Sequence, residues 1–295
     1  MSRARLTAAV ALGGLVLAMS VGRRWEPPAS AGADPADRLG TRSLSSAVAG
    51  PAAVGCALAD ASTAPDGPTR ADMELRLNVP AFRLDVLQEG VVDASFPVAV
   101  GAPRYPTPAG EYEVTEITWN PGWHPPDSEW ALGRDPEPPG PENPMGRVKL
   151  RFDSLLFIHG TPDTVSIGSP SSHGCVRLSN DDVLRLADLV LASTATAAPV
   201  EATASDDTVP QTVSLERPVR LSVVYRIAEV RDGRLELHPD VYGLASSPVQ
   251  EVLRLLEDAG LDITERVSRS VREALPGPDE ASTAIPIDSL RTGSP

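Results

Sequence analysis

The chain has 295 residues, of which 41% are hydrophobic and 4% aromatic, and its 26 basic and 40 acidic residues give a net charge of −14. This length fits one or two domains with a real hydrophobic core, and the negative charge argues against nucleic acid as a partner because a polyanion would be repelled. The two cysteines, Cys56 and Cys175, are too few for the disulfide framework of a small secreted protein.

Residues 1–25 are predicted to be an export signal. A short basic stretch precedes the fourteen-residue run from Leu6 to Met19, in which Thr7 is the one polar residue. At about 1.5 Å per residue the run is shorter than the roughly 30 Å core of a bilayer, so we expect a cleaved leader. An uncleaved leader would instead anchor the chain in the membrane. In both cases the protein is expected to be exported to the periplasm or cell wall.

Residues 26–72 are predicted to be a flexible tether. From Glu26 to Asp72 the segment contains no aromatic residue and is dominated by Ala, Pro, Ser, Gly and Asp. Such a composition buries too little apolar surface to offset the entropy lost on ordering.

Residues 73–192 are predicted to form a mainly β domain. Apolar and polar residues alternate along short segments, as expected for strands with one buried face. These segments lie at 73–79, 82–87, 91–100, 111–118 and 147–152. The segment from Trp119 to Met145 holds eight prolines and three tryptophans. Because proline cannot donate to a β-ladder, a long loop facing the substrate is predicted there.

The end of this domain is predicted to contain a buried strand and a helix. The apolar run at 155–158 predicts a strand that is buried on both faces and ends at His159. Asn180 is expected to cap a helix whose apolar residues between 183 and 191 repeat at helical spacing.

Two further segments are predicted after this domain. Residues 193–245 are expected to form a β-hairpin that extends one edge of the sheet, with a turn at Asp232-Gly233. In residues 246–295, Ser247 and Gln250 resemble a capping box at the start of one helix, and a second short helix is predicted at 264–275. Residues 246–295 are therefore predicted to be a C-terminal helical appendage.

Two of the four histidines flank the second cysteine. Thirteen residues separate His159, in His159-Gly160, from His173, which lies in the sequence Ser-His-Gly-Cys-Val-Arg-Leu at 172–178. A cysteine becomes a competent nucleophile when an imidazole, a cation or a helix N-terminus favours its thiolate. Here His159 or His173 supplies an imidazole, Arg177 supplies a cation, and the predicted helix begins nearby, so Cys175 is a candidate for acyl chemistry.

These residues resemble the L,D-transpeptidases with a YkuD-type catalytic domain, which crosslink bacterial peptidoglycan. The resemblance rests on an apolar strand ending in His-Gly, a spacer, and the pattern Ser-His-Gly-Cys-x-Arg-Leu-x-Asn at 172–180. A Thr-Pro-x-Gly turn at 107–110 and an Asn-Pro-x-Trp loop at 120–123 add to it. The resemblance implies a YkuD-like β-sandwich of mixed sheets with peripheral helices, and it makes residues 73–192 the catalytic domain.

The resemblance also implies a two-step acyl transfer that needs no metal and no organic cofactor. Cys175 would attack a tetrapeptide stem and expel D-alanine, and His159 would be the general base. His173 would orient the site, and the backbone N–H groups of Gly174 and Cys175 would stabilise the oxyanion. Arg177 would position the cysteine loop or a substrate carboxylate. Gly160 and Ser172 complete the implied binding residues. The implied partners are donor and acceptor stem peptides of peptidoglycan.

Several alternatives stay open at this point. Water as the acceptor would make the protein an L,D-carboxypeptidase, and a non-catalytic protein would use the same groove to bind the cell wall. Cys175 would be unreactive if it formed a structural disulfide with Cys56. His159, His173 and Cys175 offer three zinc ligands, but they lack the spacing typical of a zinc motif, so no metal is predicted.

Overall fold

The computed structural model describes residues 73–198 and 209–291. The predicted export signal at 1–25 and the predicted tether at 26–72 lie outside the described residues. Within the two described ranges, no helix combines the length and the apolar character needed to cross a membrane.

The described chain consists mainly of β-strands, with helices at its periphery. The strands are β1 (Met73–Asn78), β2 (Arg83–Gln88), β3 (Val91–Pro97), β4 (Val100–Gly101), β5 (Gly110–Trp119), β6 (Val148–Arg151), β7 (Phe157–Thr161), β8 (Pro170–Ser172), β9 (Val176–Ser179), β10 (Gln211–Val224), β11 (Ala228–Arg231), β12 (Arg234–Leu237) and β13 (Thr283–Pro286). The helices are α1 (Asn180–Thr194), α2 (Pro248–Asp258), α3 (Glu265–Ala274) and α4 (Ile287–Arg291). The predicted fold class, mainly β with mixed sheets and peripheral helices, is confirmed.

Eight of the strands form one mixed sheet in the order β3-β2-β1-β10-β5-β6-β7-β9. Most neighbours are antiparallel, but β1 pairs with β10 and β7 pairs with β9 in parallel. Strand β10 lies in the middle of the sheet, so the prediction that residues 193–245 extend its edge as a hairpin is wrong for this strand. The alternation of residues reveals a strand but does not identify its partners, which is why the sequence misplaced it.

The two edges of the large sheet approach each other. Just after β3, Ala99 exchanges two backbone hydrogen bonds of 2.9 Å with Arg177 of β9, the strand at the opposite edge. The next strand, β4, pairs with β8, which leads directly into the cysteine motif. The sheet is therefore nearly closed, and apolar side chains from most of its strands form one core.

Helix α1 packs on this core and is capped by Ser179 rather than by Asn180. The Ser179 side chain accepts a hydrogen bond of 3.1 Å from the backbone N–H of Asp182. Asn180 is the first helical residue, and its Oδ1 accepts a bond of 3.0 Å from the backbone N–H of Arg147. The predicted cap is wrong. Ser179 and Asn180 both have side chains able to cap a helix, but the Asn180 side chain bonds Arg147 instead, so Ser179 forms the cap.

Residues 228–291, here called the C-terminal module, have a hydrophobic core of their own. Strands β11, β12 and β13 form an antiparallel sheet, and apolar side chains of α2, α3 and α4 join it in this core. The segment predicted as a helical appendage therefore also contains a strand, β13. The predicted capping box is wrong, because Ser247 precedes α2 without a side-chain capping bond, although Pro248 occupies the first turn as expected.

Charged side chains connect the C-terminal module to the large sheet. Arg83 on β2 donates to Glu229 at 2.5 Å, to Glu236 at 2.9 Å and to Asp85 at 3.2 Å. Arg231 of the module reaches the same Asp85 at 3.2 Å. These side chains are largely buried, so each charge depends on its partners for stabilisation.

We expect Arg83→Ala to lower the free energy of unfolding by about 2–3 kcal/mol, because it leaves largely buried carboxylates short of a partner. Urea denaturation at neutral pH measures this change. Arg76→Ala is the matched control, since Arg76 forms a longer and more exposed pair with Glu74 at 3.9 Å, and a change of less than about 0.5 kcal/mol is expected. Equal effects of the two substitutions would contradict this role of Arg83.

Candidate active site

The pairing of three strands places several of the predicted site residues on one face of the sheet. In the parallel pair β7 and β9, His159 lies opposite Arg177, and in the antiparallel pair β6 and β7, Lys149 lies opposite His159. Paired residues point to the same face, and Cys175 lies two residues before Arg177, which is the same side of an extended chain. The intervening residues Ile158 and Val176 point to the core, where both are fully buried.

Strand β7 differs from its prediction in two respects. It begins at Phe157 and carries His159 at its centre rather than at its end. It is also not buried on both faces, because Phe157 is partly exposed and Leu155, before the strand, is 69% exposed. One face of β7 packs on the core and the other borders an open cavity, so the apolar run at 155–158 reflects both environments.

A cavity of about 490 Å³ lies over this face. It brings together five of the seven predicted site residues, namely His159, Ser172, His173, Cys175 and Arg177, and the other lining residues include Trp123, His124, Trp130, Arg134, Met145, Lys149, Leu155 and Phe157. Gly160 and Gly174 are sequence neighbours of residues that line the cavity, but they do not line it themselves. Lys149 and Arg134 were not singled out from the sequence, because nothing in their local pattern marks them before the strand register and the loop conformation are known.

His159 is buried and has a defined tautomer. Its Nδ1 lies 2.7 Å from the backbone oxygen of Gly160. Because a carbonyl oxygen only accepts, Nδ1 carries the proton in the neutral ring, and Nε2 keeps a lone pair that can take up another. Burial lowers the pKa of His159 to about 4, with the charges of Arg177 and Lys149 acting in the same direction. The imidazole is therefore neutral near pH 7 and able to act as a base.

Cys175 is a free thiol at the edge of the cavity. Its Sγ lies 3.7 Å from the backbone oxygen of Leu155. Burial raises the pKa of the thiol, while the backbone N–H of Phe157 and the charges of Arg177 and Lys149 act in the opposite direction. The resting pair is therefore a protonated thiol and a neutral imidazole. Cys56, the partner considered for a disulfide, lies outside the described residues.

The loop that carries Cys175 is held by Ser172. The Ser172 hydroxyl donates to the backbone oxygen of Cys175 at 2.5 Å and accepts from the backbone N–H of Gly174 at 3.1 Å. Gly174 has a φ of +106°, which a residue with a side chain rarely adopts. The N–H of Gly174 is thus already bonded, and the expectation that it helps to bind an oxyanion does not fit this conformation. Of the two backbone donors predicted from the sequence, the N–H of Cys175 remains.

A chain of hydrogen bonds from outside the cysteine motif fixes the peptide group between Gly174 and Cys175. Thr107 donates through Oγ1 to the oxygen of Gly174 at 2.9 Å and accepts from the N–H of Gly101 at 2.9 Å. The Tyr242 hydroxyl accepts from the N–H of Thr107 at 3.1 Å and donates to the oxygen of Gly101 at 2.7 Å. Because N–H and C=O point in opposite directions in a trans peptide, this network also aims the N–H of Cys175.

The loop rich in proline and tryptophan contacts the exposed ring of His173. The ring of Trp130 stacks on His173 with a centroid distance of 3.9 Å and an angle of 17°, and the ring of Tyr105 contacts it at 4.9 Å. The buried Asn143 anchors the loop by bonding the backbone of Glu137, Pro138 and Met145. The loop predicted to face the substrate does line the cavity, and its tryptophans shape the wall beside His173.

One group of side chains in the described part of the chain has a spacing suited to a metal ion. The ligand atoms of Glu229, Glu236 and His238 lie within 4.8 Å of one another, in the C-terminal module. The guanidinium of Arg83 already bonds both carboxylates, so a cation occupies this position. His159, His173 and Cys175 do not form such a group.

Comparison with known proteins identifies the same part of the chain. Residues 73–204 match the family model described as YkuD, L,D-transpeptidase catalytic domain. YqjB of Bacillus subtilis (strain 168), whose name assigns it to the L,D-transpeptidases, is 30% identical over 127 residues, which are 41% of this chain and 68% of YqjB. YbiS of Escherichia coli (strain K12), named for the same group, is 44% identical over 73 residues, which are 24% of each chain.

Among solved structures, an L,D-transpeptidase from Mycobacterium smegmatis is 18% identical, with a TM-score of 0.36 over 52% of this chain and 59% of that chain. The family match includes both His159 and Cys175 and ends before β10 and the C-terminal module. Tyr242 therefore lies outside the part of the chain that the family model covers.

The resting protonation states predict a specific pH dependence of thiol reactivity. We expect alkylation of Cys175 by iodoacetamide to be slow near pH 7 and to rise only in alkaline solution, because the pKa of the thiol is raised and that of His159 is about 4. A thiolate and imidazolium pair would instead give a reactive plateau from about pH 4 to pH 8. Peptide mapping by mass spectrometry measures the rate at Cys175, with His159→Gln as the comparison. A plateau that the wild type shows and His159→Gln lacks would contradict the neutral pair.

Proposed function

This chain belongs to the L,D-transpeptidase family with a YkuD-type catalytic domain, and we propose that it transfers the acyl group of a peptidoglycan tetrapeptide stem to an amine acceptor through Cys175. The observation that carries the proposal is a free thiol that shares one cavity with a buried, neutral imidazole of defined tautomer. A nucleophile with an adjacent base, whose other nitrogen is held by a hydrogen bond, is the arrangement that covalent acyl transfer needs.

In the proposed first step, Sγ of Cys175 attacks the carbonyl carbon of the third residue, a diamino acid, in the donor stem. His159 takes the thiol proton on Nε2, and the carbonyl oxygen becomes an oxyanion. The bond to the terminal D-alanine then breaks, and the proton passes from His159 to the departing amine. The products of this step are free D-alanine and a thioester on Cys175.

In the proposed second step, the amine of another stem attacks the thioester. His159 accepts the amine proton and returns a proton to sulfur as the bond between carbon and sulfur breaks. The product is an amide between two stems, and the resting thiol is restored. Water in place of the amine would give a tripeptide, which is the carboxypeptidase reaction.

The N–H of Cys175 is proposed to stabilise the oxyanion in both steps. Preorganised donors of this kind act most strongly when their direction is fixed before the reaction. Thr107 and Tyr242 supply that constraint through the peptide group between Gly174 and Cys175. Tyr242 is accordingly proposed as a positioning residue.

The reaction is proposed to occur outside the cytoplasm, where peptidoglycan stems are exposed. The support for export is the basic and apolar leader at 1–25, which lies outside the described residues. An uncleaved leader would hold the enzyme at the membrane through the tether at 26–72.

The decisive test is incubation of the full chain with purified tetrapeptide muropeptides. We expect release of D-alanine and formation of crosslinked dimers, both abolished in Cys175→Ala and reduced about 10²- to 10⁴-fold in His159→Gln because the general base is lost. Chromatography with mass spectrometry measures the products, and Cys56→Ser is the matched control, expected to behave like the wild type. D-Alanine release by Cys175→Ala would disprove the mechanism, and tripeptide monomers without dimers would identify a carboxypeptidase.

Replacing Tyr242 tests the proposed alignment of the Cys175 N–H. We expect Tyr242→Phe to lower kcat about tenfold with little change in KM, because the substitution removes one hydroxyl that bonds Gly101 and Thr107 and loosens an oxyanion donor. Steady-state assay of D-alanine release measures the effect. The control is Tyr112→Phe, whose hydroxyl bonds the exposed Pro108 oxygen at 3.1 Å. An unchanged kcat in Tyr242→Phe would rule out the positioning role.

A further inference from the structure

The charge of the cavity is opposite to that of the whole protein. The chain carries 40 acidic and 26 basic residues. Among the described residues, those that line the cavity include Arg134, Lys149 and Arg177 but no aspartate or glutamate. A cavity wall that concentrates one sign of charge attracts ligands of the other sign. The occupant of this cavity is therefore expected to be an anion.

One of the three cations has an ion-pair partner in the described part of the chain. Arg134 lies 3.9 Å from Glu137 and over the ring of Trp123 at 4.7 Å, and these contacts compensate part of its charge before any ligand binds. Arg177 forms no ion pair in the described residues: burial lowers its pKa, and the charge of Asp163 acts in the opposite direction.

Lys149 also has no ion pair within the described ranges. Its Nζ lies 4.8 Å from the ring centroid of Phe157, and its side chain is only partly exposed. The aromatic face favours a cation, and the charge of Glu116 acts in the same direction without forming an ion pair with Lys149. A partly desolvated ammonium without a counter-ion gains more from a carboxylate than a fully hydrated one does.

The strand register fixes where Lys149 would act. Lys149 pairs with His159 across β6 and β7, and both side chains line the cavity beside Cys175. An anionic group bound by Lys149 would therefore lie close to the peptide bond that Cys175 attacks. The anionic groups of a stem peptide that lie nearest to this bond are carboxylates.

We propose that Lys149 binds a carboxylate of the donor stem peptide, so that the enzyme selects donors in which this carboxylate is free rather than amidated. This inference rests on the proposed function for the identity of the peptide. Two carboxylates of the donor are candidates: the C-terminal carboxylate of the leaving D-alanine and, where the third residue is diaminopimelate, the second carboxylate at the end of its side chain. Both present the same chemistry to Lys149, and the experiments below distinguish them.

The anion selectivity of the cavity is tested without any assumption about the reaction. The probes are iodoacetate, which is anionic, and iodoacetamide, which is neutral and of similar size; the readout is the ratio of their alkylation rates at Cys175 of the full chain. We expect Lys149→Met to lower this ratio about three- to tenfold at low ionic strength, where charges are least screened. Arg151→Met is the matched control, since Arg151 lies two residues away on the same strand, pairs with Glu116 at 3.1 Å and does not line the cavity.

An unchanged ratio in Lys149→Met, or an equal fall in Arg151→Met, would overturn the role of Lys149. Because the ratio divides out the general reactivity of the thiol, a change in thiol pKa alone does not mimic the expected result. The alkylation ratio does not depend on muropeptide turnover. If no muropeptide is processed, the proposed function fails, and the ratio alone still decides whether Lys149 attracts anions to the cavity.

The carboxylate is identified by calorimetric titration of Cys175→Ala, which binds donor peptide without forming a thioester. We expect Lys149→Met in this background to weaken binding of the unmodified tetrapeptide about tenfold. The titration is repeated with peptides in which each carboxylate in turn is an amide, and with one of them the effect of Lys149→Met should disappear. That peptide identifies the bound group. The same loss of affinity with every amidated peptide, or no loss with the unmodified one, would overturn the assignment.

Discussion

The parallel pairing of β7 with β9 is the contact on which the site depends. Parallel neighbours cannot be joined by a tight hairpin and need a crossover connection. Here that crossover contains β8 and the cysteine loop, so the chain must pass over the sheet edge and return beside His159. The pairing of His159 with Arg177 then places Cys175 on the same face of the sheet, so the proposed base and nucleophile line one cavity because of backbone register.

The crossover is in turn held in place by several contacts that exclude other conformations. Gly160 has no side chain because a Cβ there would overlap Asn180 Oδ1 and lie 3.0 Å from Val183. Gly160 does not line the cavity. Close packing against α1 therefore explains why the motif has a glycine at this position. On the other side, Ala99 bonds the backbone of Arg177, and Thr107 bonds Gly174. The cysteine loop is therefore braced by the helix, by the opposite sheet edge and by the segment before β5.

The sequence predicted the local features well and the distant partners poorly. Alternating residues located most strands, and the histidine and cysteine motifs identified the cavity wall, because both signals are contained in a few neighbouring residues. The central position of β10, the bond of Asn180 to Arg147 and the place of Lys149 opposite His159 each depend on which segments pair in space. Tyr242 could not have been found from its own neighbourhood, since it reaches Thr107 across 135 positions of sequence.

The protonation states and the charges of the cavity fit one order of events. Lys149 and Arg177 act to lower the pKa of the Cys175 thiol, yet burial outweighs them and raises it. A donor carboxylate bound at Lys149 would neutralise part of the positive charge that lowers the thiol pKa. Substrate binding alone would therefore not ionise the thiol. In the proposed mechanism, proton transfer to His159 therefore accompanies the attack on the carbonyl, and a neutral imidazole with an unprotonated Nε2 is the form able to accept that proton. On this account the low pKa of His159 is part of the mechanism, because a base already protonated at neutral pH would have no capacity to take the thiol proton.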